Sequence, residues 1–238
     1  MANFPFQRLQ TDLAALIARS PAGQRLPSEP DLAKQLGVSR ATLREAMRSF
    51  ETQGLIRRRQ GSGTFVVGRM QTIDSGLEVL ESLETVAGRL GLEVSVSNLS
   101  IESITADEDL APELKVAVDT KLTRVRRVIR AENRPVAYLV DILPEDVMDA
   151  KSLPSDFNGS VLDFLLGRGD ALTSSRANVS ALGATAEVAK PLEIQRGDVL
   201  LHFRSHLFDG NAQIVDYSLS YFIPGYFHFH VVRRVGLN

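Results

Sequence analysis

The chain has 238 residues, of which 44% are hydrophobic and 24% are charged, and its formal net charge is −2. This length and composition are typical of a globular protein of about two domains and exclude a low-complexity or disordered chain. The absence of cysteine excludes a disulfide framework and a thiolate metal site. The sequence has no signal-peptide pattern and no apolar run of membrane-spanning length, so we expect a cytoplasmic protein with no membrane partner.

The small net charge hides an asymmetry along the chain. Residues 1–70 carry 11 Lys and Arg against 5 Asp and Glu, whereas residues 71–238 carry 16 against 24. A basic segment joined to an acidic one is expected when only the first meets a polyanion. We therefore expect nucleic acid to bind the N-terminal part.

Three helices are predicted before residue 54. The first, over 6–17, places four aliphatic side chains on one face: Leu9, Leu13, Leu16 and Ile17. Ser28 marks the start of a second helix that Gly37 ends, and Ser39 is placed to cap a third. Two helices joined by so short a turn predict a helix-turn-helix, whose second helix presents its N-terminal residues to the major groove.

The third helix has two distinct faces. Its apolar residues recur at i, i+3, i+4 and i+7, at Leu43, Ala46, Met47 and Phe50. The opposite face carries three arginines, Arg40, Arg44 and Arg48. We predict that these three side chains face DNA.

A hairpin is predicted directly after the third helix. Residues 55–59 and 64–67 are strand-like and flank the turn Gln60-Gly61-Ser62-Gly63. This pattern predicts a wing, whose glycines allow close approach to a phosphate and whose arginines, Arg58 among them, supply positive charge. The alternative is a solvated hairpin, but its position after a helix-turn-helix favours DNA binding.

Strand-like patterns dominate the C-terminal part, after a joint at 68–78. A helical stripe runs from Leu77 to Leu90 and ends at Gly91. Strands are predicted at 94–100, 122–131, 136–143, 176–182, 199–209, 213–221 and 227–234, and helices at 107–114, 160–166 and 184–190. Turn signals such as Asp209-Gly210-Asn211 predict hairpins, and therefore an α+β chain with a largely antiparallel sheet.

The segments LPSE, LGVSRATLREAM, GLI and GSGTFV resemble, in order and spacing, the winged helix-turn-helix domain of the GntR family of bacterial transcription regulators. The resemblance implies DNA contacts by four residues of the third helix and two of the wing tip, Ser39, Arg40, Thr42, Arg44, Gln60 and Gly61. Pro30 departs from the family pattern, because many members carry there a polar or basic side chain that helps to read the operator.

The C-terminal part resembles the UTRA domain of the HutC subfamily of GntR regulators. The matching pieces are LESLETVAGRLGLEV, LTRVRRVIRAENRPVAYLVDILP and DGNAQIVDYSLSYFIPGYFHFHVVRR. The resemblance implies a chorismate-lyase-like α/β fold that binds a small effector and forms a homodimer. The predicted domains are a winged helix at 1–68, a linker at 69–79 and an effector-binding and dimerisation domain at 80–238.

The function implied is a sequence-specific transcriptional regulator, expected to be a repressor. It would bind double-stranded DNA at a palindromic operator as a homodimer. A small metabolite in the C-terminal domain would control its affinity for the operator.

Candidate effector contacts come from three predicted strands. Strand alternation places Arg127 on the face opposite Arg124, and the resemblance implies that Arg127 lines the pocket. Ser174 and Arg176 begin a later strand and could bind an anionic group. The full predicted set is Arg124, Arg127, Ser174, Arg176, Asp216, Tyr217 and Tyr221. Each could equally be a solvated arginine or a satisfied polar side chain.

Three departures from the family pattern bear on the effector. Leu139 and Leu219 stand where sugar-phosphate-sensing relatives commonly carry charge, and Phe222 replaces a frequent tyrosine. Desolvating a multiply charged ligand without those partners is unfavourable. We therefore expect a neutral or singly charged metabolite rather than a sugar phosphate.

The sequence leaves two alternatives, an effector-independent architectural DNA-binding protein and a lyase-like enzyme. The sequence has no nucleophile elbow, no phosphate-binding loop and no dinucleotide fingerprint. His202 and His206 lie four apart in a strand-like run, which separates them by about 13 Å. His228 and His230 share a strand face but have no third ligand near them in sequence. We therefore predict neither catalysis nor a cofactor nor a metal site.

Overall fold

The computed structural model describes residues 5–21, 23–59, 62–67 and 73–233. The chain divides into two compact units, an N-terminal unit of Met1–Thr72 with Pro224–Tyr226, and a C-terminal unit of Ile73–Ile223 with Phe227–Asn238. Among the described residues, no helix is long and apolar enough to cross a membrane.

The N-terminal unit contains three helices and a hairpin. In chain order these are α1 (Pro5–Arg19), α2 (Glu29–Leu36), α3 (Arg40–Thr52), β1 (Ile56–Arg59) and β2 (Gly63–Val66). β1 and β2 pair in antiparallel register, with Ile56 opposite Val66. The winged helix-turn-helix fold is therefore confirmed.

Local signals in the sequence set the bounds of α2 and α3. Ser28 Oγ accepts a hydrogen bond from the backbone N–H of Asp31, at 3.4 Å, and caps α2. Gly37 ends that helix in the left-handed conformation, at φ 66°. Ser39 Oγ accepts from the N–H of Thr42 at 3.1 Å and caps α3. The helices pack around a buried core that includes Leu13, Leu32, Leu43, Met47 and Ile56.

The C-terminal unit is built on one antiparallel sheet of six strands. Its elements are β3 (Ile73–Gly76), α4 (Leu83–Arg89), β4 (Val94–Thr105), α5 (Leu110–Leu114), β5 (Lys121–Ala131), β6 (Arg134–Pro144), α6 (Val161–Arg168), β7 (Leu172–Gly183), α7 (Ala186–Leu192), β8 (Val199–Asp209), β9 (Ile214–Phe222) and β10 (Phe227–His230). The strand order in the sheet is β4-β5-β6-β9-β8-β7. β3 and β10 form a separate parallel ribbon.

Different helices contact the two faces of the sheet. One face, here called the α6 face, packs Val125, Leu143 and Leu207 against Val161 and Leu165 of α6. On the opposite face, here called the α5 face, Nε2 of His206 on β8 lies 2.8 Å from a carboxylate oxygen of Glu113 on α5. Side chains alternate along each strand, so the sequence register decides which face each candidate residue reaches.

Two sequence-based boundaries need correction. The predicted linker at 69–79 contains strand β3, because residues 73–76 pair with β10, far away in sequence. The helix predicted from Leu77 begins only at Leu83, because Ser82 Oγ accepts from the N–H of Thr85 at 3.0 Å and caps it there. Leu77 and Leu80 are exposed outside the helix.

Candidate functional site

The N-terminus of α3 carries basic side chains on an exposed surface. Arg40 is the first residue of the helix, and no acidic residue lies in its first turn. Cations are unfavourable at this end of a helix dipole, whereas an anion is favoured there. Ser39 and Thr42 use their hydroxyls locally, with the two oxygens 2.8 Å apart. The arrangement suits an external polyanion.

Glu29 of α2 pairs with two of the predicted DNA contacts. Nε of Arg44 lies 2.6 Å from Oε2 of Glu29, and Nη1 of Arg58 lies 3.7 Å from Oε1. The Arg44 side chain is 63% exposed, so DNA can reach it without repacking the unit. Glu29 therefore orients Arg44 at the protein surface.

Arg58 contacts other residues of the N-terminal unit, whereas the sequence suggested only a contact with DNA. Its Nε lies 3.5 Å from Oε2 of Glu51, and its Nη2 donates to the backbone carbonyl of Arg44 at 3.4 Å. These contacts tie β1 to α3. Arg48 pairs with Glu45 at 3.4 Å. Gln60 and Gly61 lie outside the described residues.

Sequence reasoning missed Arg25, which lies beside the hairpin. It forms an isolated antiparallel bridge with Phe65. Its guanidinium lies against Gly63, where an added Cβ would be 3.2 Å from Cζ of Arg25. No periodicity marks this residue, because it lies outside both helices, and only the folded hairpin brings it to the wing.

The predicted effector contacts do not form one site. Arg127 and Asp216 lie on the α6 face, because Arg127 shares its face with Val125 and Asp216 pairs with Leu207. Strand alternation and strand pairing place four others on the α5 face, namely Arg124, Arg176, Tyr217 and Tyr221. Ser174 is exposed on edge strand β7. Strand alternation therefore divides the predicted residues between the two faces of the sheet, and their role as effector contacts stays a prediction.

Glu102 balances the arginines of the α5 face. Nη2 of Arg124 lies 2.7 Å from Oε2 of Glu102, and Arg126 donates to Oε1 of the same carboxylate. These hydrogen bonds, with that of Arg124 first, lower the pKa of Glu102 to about 2. Tyr221 stacks between His202 and Tyr138 on this face, at centroid distances of 4.8 and 6.1 Å. The two arginines thus have an internal partner that the sequence did not indicate.

A buried polar cluster occupies the α6 face, consisting of Glu84, Arg127, Asp141 and Asp216. Arg127 and Asp141 form a buried ion pair between β5 and β6. Nε of Arg127 lies 3.8 Å from Oε1 of Glu84, which α4 contributes. Oδ1 of Asp216 accepts a hydrogen bond from the N–H of Ile142 at 3.2 Å. Sequence reasoning missed Glu84, because its helix lies about forty residues from the strand it meets.

The cluster has unused hydrogen-bonding capacity. Both carboxylate oxygens of Glu84 and Nε of Arg127 are buried without a hydrogen-bond partner among the described residues. Such groups are rare in folded proteins, because each loses its hydration without replacement. Ser218 lies opposite Asp141 across the strand pair, and Ser205 lies opposite Ser218. This face therefore carries unpaired hydrogen-bonding atoms at Glu84 and Arg127.

Burial raises the pKa of Asp216 well above its usual range, and the nearby charge of Asp141 raises it further. The hydrogen bond from Ile142 and the charge of Arg127 oppose this shift only in part. Burial therefore makes ionisation of Asp216 unfavourable. The cluster places one guanidinium beside three carboxyl groups.

Comparison with known proteins agrees with this two-part organisation. Residues 89–228 match the UTRA domain family, and residues 6–66 match the family described as bacterial regulatory proteins, gntR family. The HTH-type transcriptional repressor NagR of Bacillus subtilis is 29% identical over 191 residues, covering 79% of this chain and 77% of that protein. The histidine utilization repressor of Pseudomonas aeruginosa is 28% identical over 198 residues, covering 82% and 76%.

A solved structure shares the fold over nearly the whole chain. PhnF from Mycobacterium smegmatis has a TM-score of 0.66 at 22% sequence identity, covering 96% of this chain and 100% of that chain. Its separately determined effector domain has a TM-score of 0.62 at 21% identity, covering 68% of this chain and 100% of that chain.

Asp216→Asn should change how stability depends on pH. The folded state raises the pKa of Asp216, so it binds this proton more tightly than the unfolded state, in which the pKa is near 3.8. The parent should therefore lose stability relative to the variant as pH rises from about 4 towards the raised folded pKa. The amide cannot ionise but still accepts from Ile142. Urea denaturation of the C-terminal unit across pH 4.5–8 measures the difference, with the exposed Asp156→Asn as control; a difference independent of pH would contradict it.

Proposed function

We propose that this chain, which belongs to the family of regulators that join a GntR-type DNA-binding domain to a UTRA domain, is a dimeric repressor. A small metabolite rich in hydrogen-bond donors controls its affinity for the operator. As a member of that family it is a DNA-binding transcription regulator rather than an enzyme. It acts in the cytoplasm, where a bacterial chromosome lies.

The DNA-binding part of the proposal rests on the exposed basic surface at the start of α3. Arg40 and Arg44 lie one turn apart on the side opposite the buried stripe of α3. Ser39, Thr42 and the helix N-terminus are placed for phosphate contacts beside them. Base-edge contacts by the two arginines supply sequence preference.

The repressor role is supported by the names of the relatives. Both NagR of Bacillus subtilis and the histidine utilization repressor of Pseudomonas aeruginosa are named as repressors. A single DNA-binding unit of this size buries little surface on DNA. Two such units bound to a palindromic operator therefore provide the usual route to high affinity. The C-terminal unit supplies the dimer contact, and its edge strand β7 exposes Val179.

The effector site is the polar cluster of the α6 face, and the observation that carries this assignment is the unsatisfied carboxylate of Glu84 beside Arg127. One guanidinium faces three carboxyl groups, and both oxygens of Glu84 lack a hydrogen-bond partner among the described residues, so a ligand with N–H, O–H or ammonium donors is favoured. A sugar phosphate is disfavoured, because Leu139 lies directly opposite Arg127 and offers no further positive charge.

Arg44→Ala should weaken operator binding by about 1–3 kcal/mol and relax the preference at one base pair of each half-site. The side chain is largely exposed, so the fold should persist. Binding to an operator selected from randomised duplexes is measured by fluorescence anisotropy. Arg8→Ala removes an exposed arginine of α1 and serves as the matched control. If both variants bind operator and random duplex like the parent, α3 is not the reading helix.

The full chain and a fragment of residues 73–238 should both sediment as dimers. The fragment keeps β3, whose pairing with β10 would be lost by a cut after residue 78. Sedimentation equilibrium gives the mass directly. A monomeric fragment beside a dimeric full chain would place the dimer contact outside the C-terminal unit.

Glu84→Gln should abolish stabilisation by the effector while leaving the fold intact, because the amide preserves shape but removes the charge that a donor-rich ligand needs. In a thermal-shift screen of metabolites, a ligand at a hundred times its Kd adds about 2.7 kcal/mol to the parent. The exposed Glu108→Gln is the control. Hits that stabilise Glu84→Gln as well as the parent would move the site elsewhere. A parent that responds to no metabolite would favour an architectural DNA-binding protein.

A further inference from the structure

Three potential metal ligands meet on the parallel ribbon of β3 and β10. The registers place His228 opposite Asp74 and His230 opposite Gly76. Nδ1 of His228 lies 3.1 Å from Oδ1 of Asp74, and Nδ1 of His230 lies 3.0 Å from the same oxygen. The three residues each offer one ligand atom within 4.8 Å of the others. The sequence supplied the histidine pair but no third ligand, and β3 provides it from 154 residues earlier.

The ribbon turns these three side chains outward. Phe227 and Phe229 stack on each other and contact Phe222 of the sheet, at centroid distances of 4.8 and 5.0 Å. His228 and His230 alternate with these phenylalanines and therefore point to the opposite side. Side-chain exposure is 69% for His228, 44% for His230 and 54% for Asp74. The cluster is open to solvent, so an ion can enter without opening the core.

The hydrogen bonds alone give a simpler account, in which two histidines share one carboxylate. The spacing also fits a metal ion, because neighbouring ligands about 2.0–2.2 Å from an octahedral or tetrahedral centre lie roughly 2.8–3.6 Å from each other. Both Nδ1–Oδ1 distances lie within this range. A metal ion would replace the two donated protons, with each ring in the tautomer that carries its proton on Nε2.

The surroundings of the cluster are negative. Glu78 accepts a hydrogen bond from the N–H of Val232, which lowers the pKa of its carboxyl group. Its carboxylate lies over Gly76, and a Cβ at that position would be 3.6 Å from Nε2 of His230. Asp74 and Glu78 thus place two carboxyl groups beside the two histidines.

We propose that Asp74, His228 and His230 bind one divalent transition-metal ion of borderline hardness, such as Zn²⁺, Ni²⁺ or Co²⁺. Two imidazole nitrogens and one carboxylate oxygen suit these ions, whereas Mg²⁺ and Ca²⁺ require oxygen ligands. Exposure leaves the remaining coordination positions to water. The ion joins β3, the first strand of the C-terminal unit, to β10, which closes the ribbon.

Isothermal titration calorimetry of tag-free full-length protein with Zn²⁺ tests the site. We expect one ion per chain, and each of Asp74→Asn, His228→Ala and His230→Ala should bind it at least about tenfold more weakly. Mg²⁺ and Ca²⁺ should not compete. Co²⁺ should give a visible absorption band with the parent that each ligand variant loses.

Two control variants keep the test specific. Asp156→Asn removes an exposed carboxylate elsewhere in the C-terminal unit, and His202→Gln removes a histidine of β8; both should bind Zn²⁺ like the parent. Thermal melting without metal should be unchanged in Asp74→Asn, while the rise in Tm produced by Zn²⁺ should disappear. No binding by the parent at millimolar Zn²⁺, ligand variants that bind like the parent, or controls that lose binding would each overturn the site.

Discussion

The buried ion pair between Arg127 and Asp141 organises the polar interior of the C-terminal unit. A guanidinium inside a sheet must be paired, because an uncompensated buried charge is strongly destabilising. Two further acidic residues lie beside this pair, Glu84 from α4 and Asp216 from β9. Burial and, second, the charge of Asp141 raise the pKa of Asp216, and both carboxylate oxygens of Glu84 lack a hydrogen-bond partner among the described residues. In the proposed effector site, these unpaired oxygens would favour a ligand rich in hydrogen-bond donors.

The two units differ in how they balance their charged side chains, as the charge asymmetry of the sequence indicates. In the N-terminal unit, Glu29 holds Arg44 and Arg58 in place, so the basic surface is organised before DNA arrives. In the proposed complex, phosphates or base edges would compete with Glu29 for the Arg44 side chain. In the C-terminal unit, Glu102 pairs with Arg124 and Arg126 on the α5 face.

Sequence reasoning predicted the features that depend on neighbours along the chain. Caps at Ser28 and Ser39 and the buried stripe of α3 gave the helix-turn-helix, and turn signals gave the antiparallel hairpins of the sheet. Alternation correctly separated Arg124 from Arg127, yet the predicted effector set still combined both faces. The remaining contacts depend on tertiary packing. Glu84 reaches Arg127 only when α4 folds onto the sheet, and Asp74 reaches His228 only through a parallel pairing that no local pattern encodes.

A ligand bound in the proposed polar site should change affinity for the operator, and operator binding at saturating ligand measures this change most directly. A ligand found by thermal shift is added at a hundred times its Kd while full-length protein is titrated into labelled operator. The account predicts a change of about 5–150-fold in operator Kd for the parent, since coupling free energies are typically 1–3 kcal/mol. In Glu84→Gln the operator Kd without ligand should equal that of the parent and should not respond to ligand. An operator Kd that saturating ligand leaves unchanged in the parent would contradict the claim.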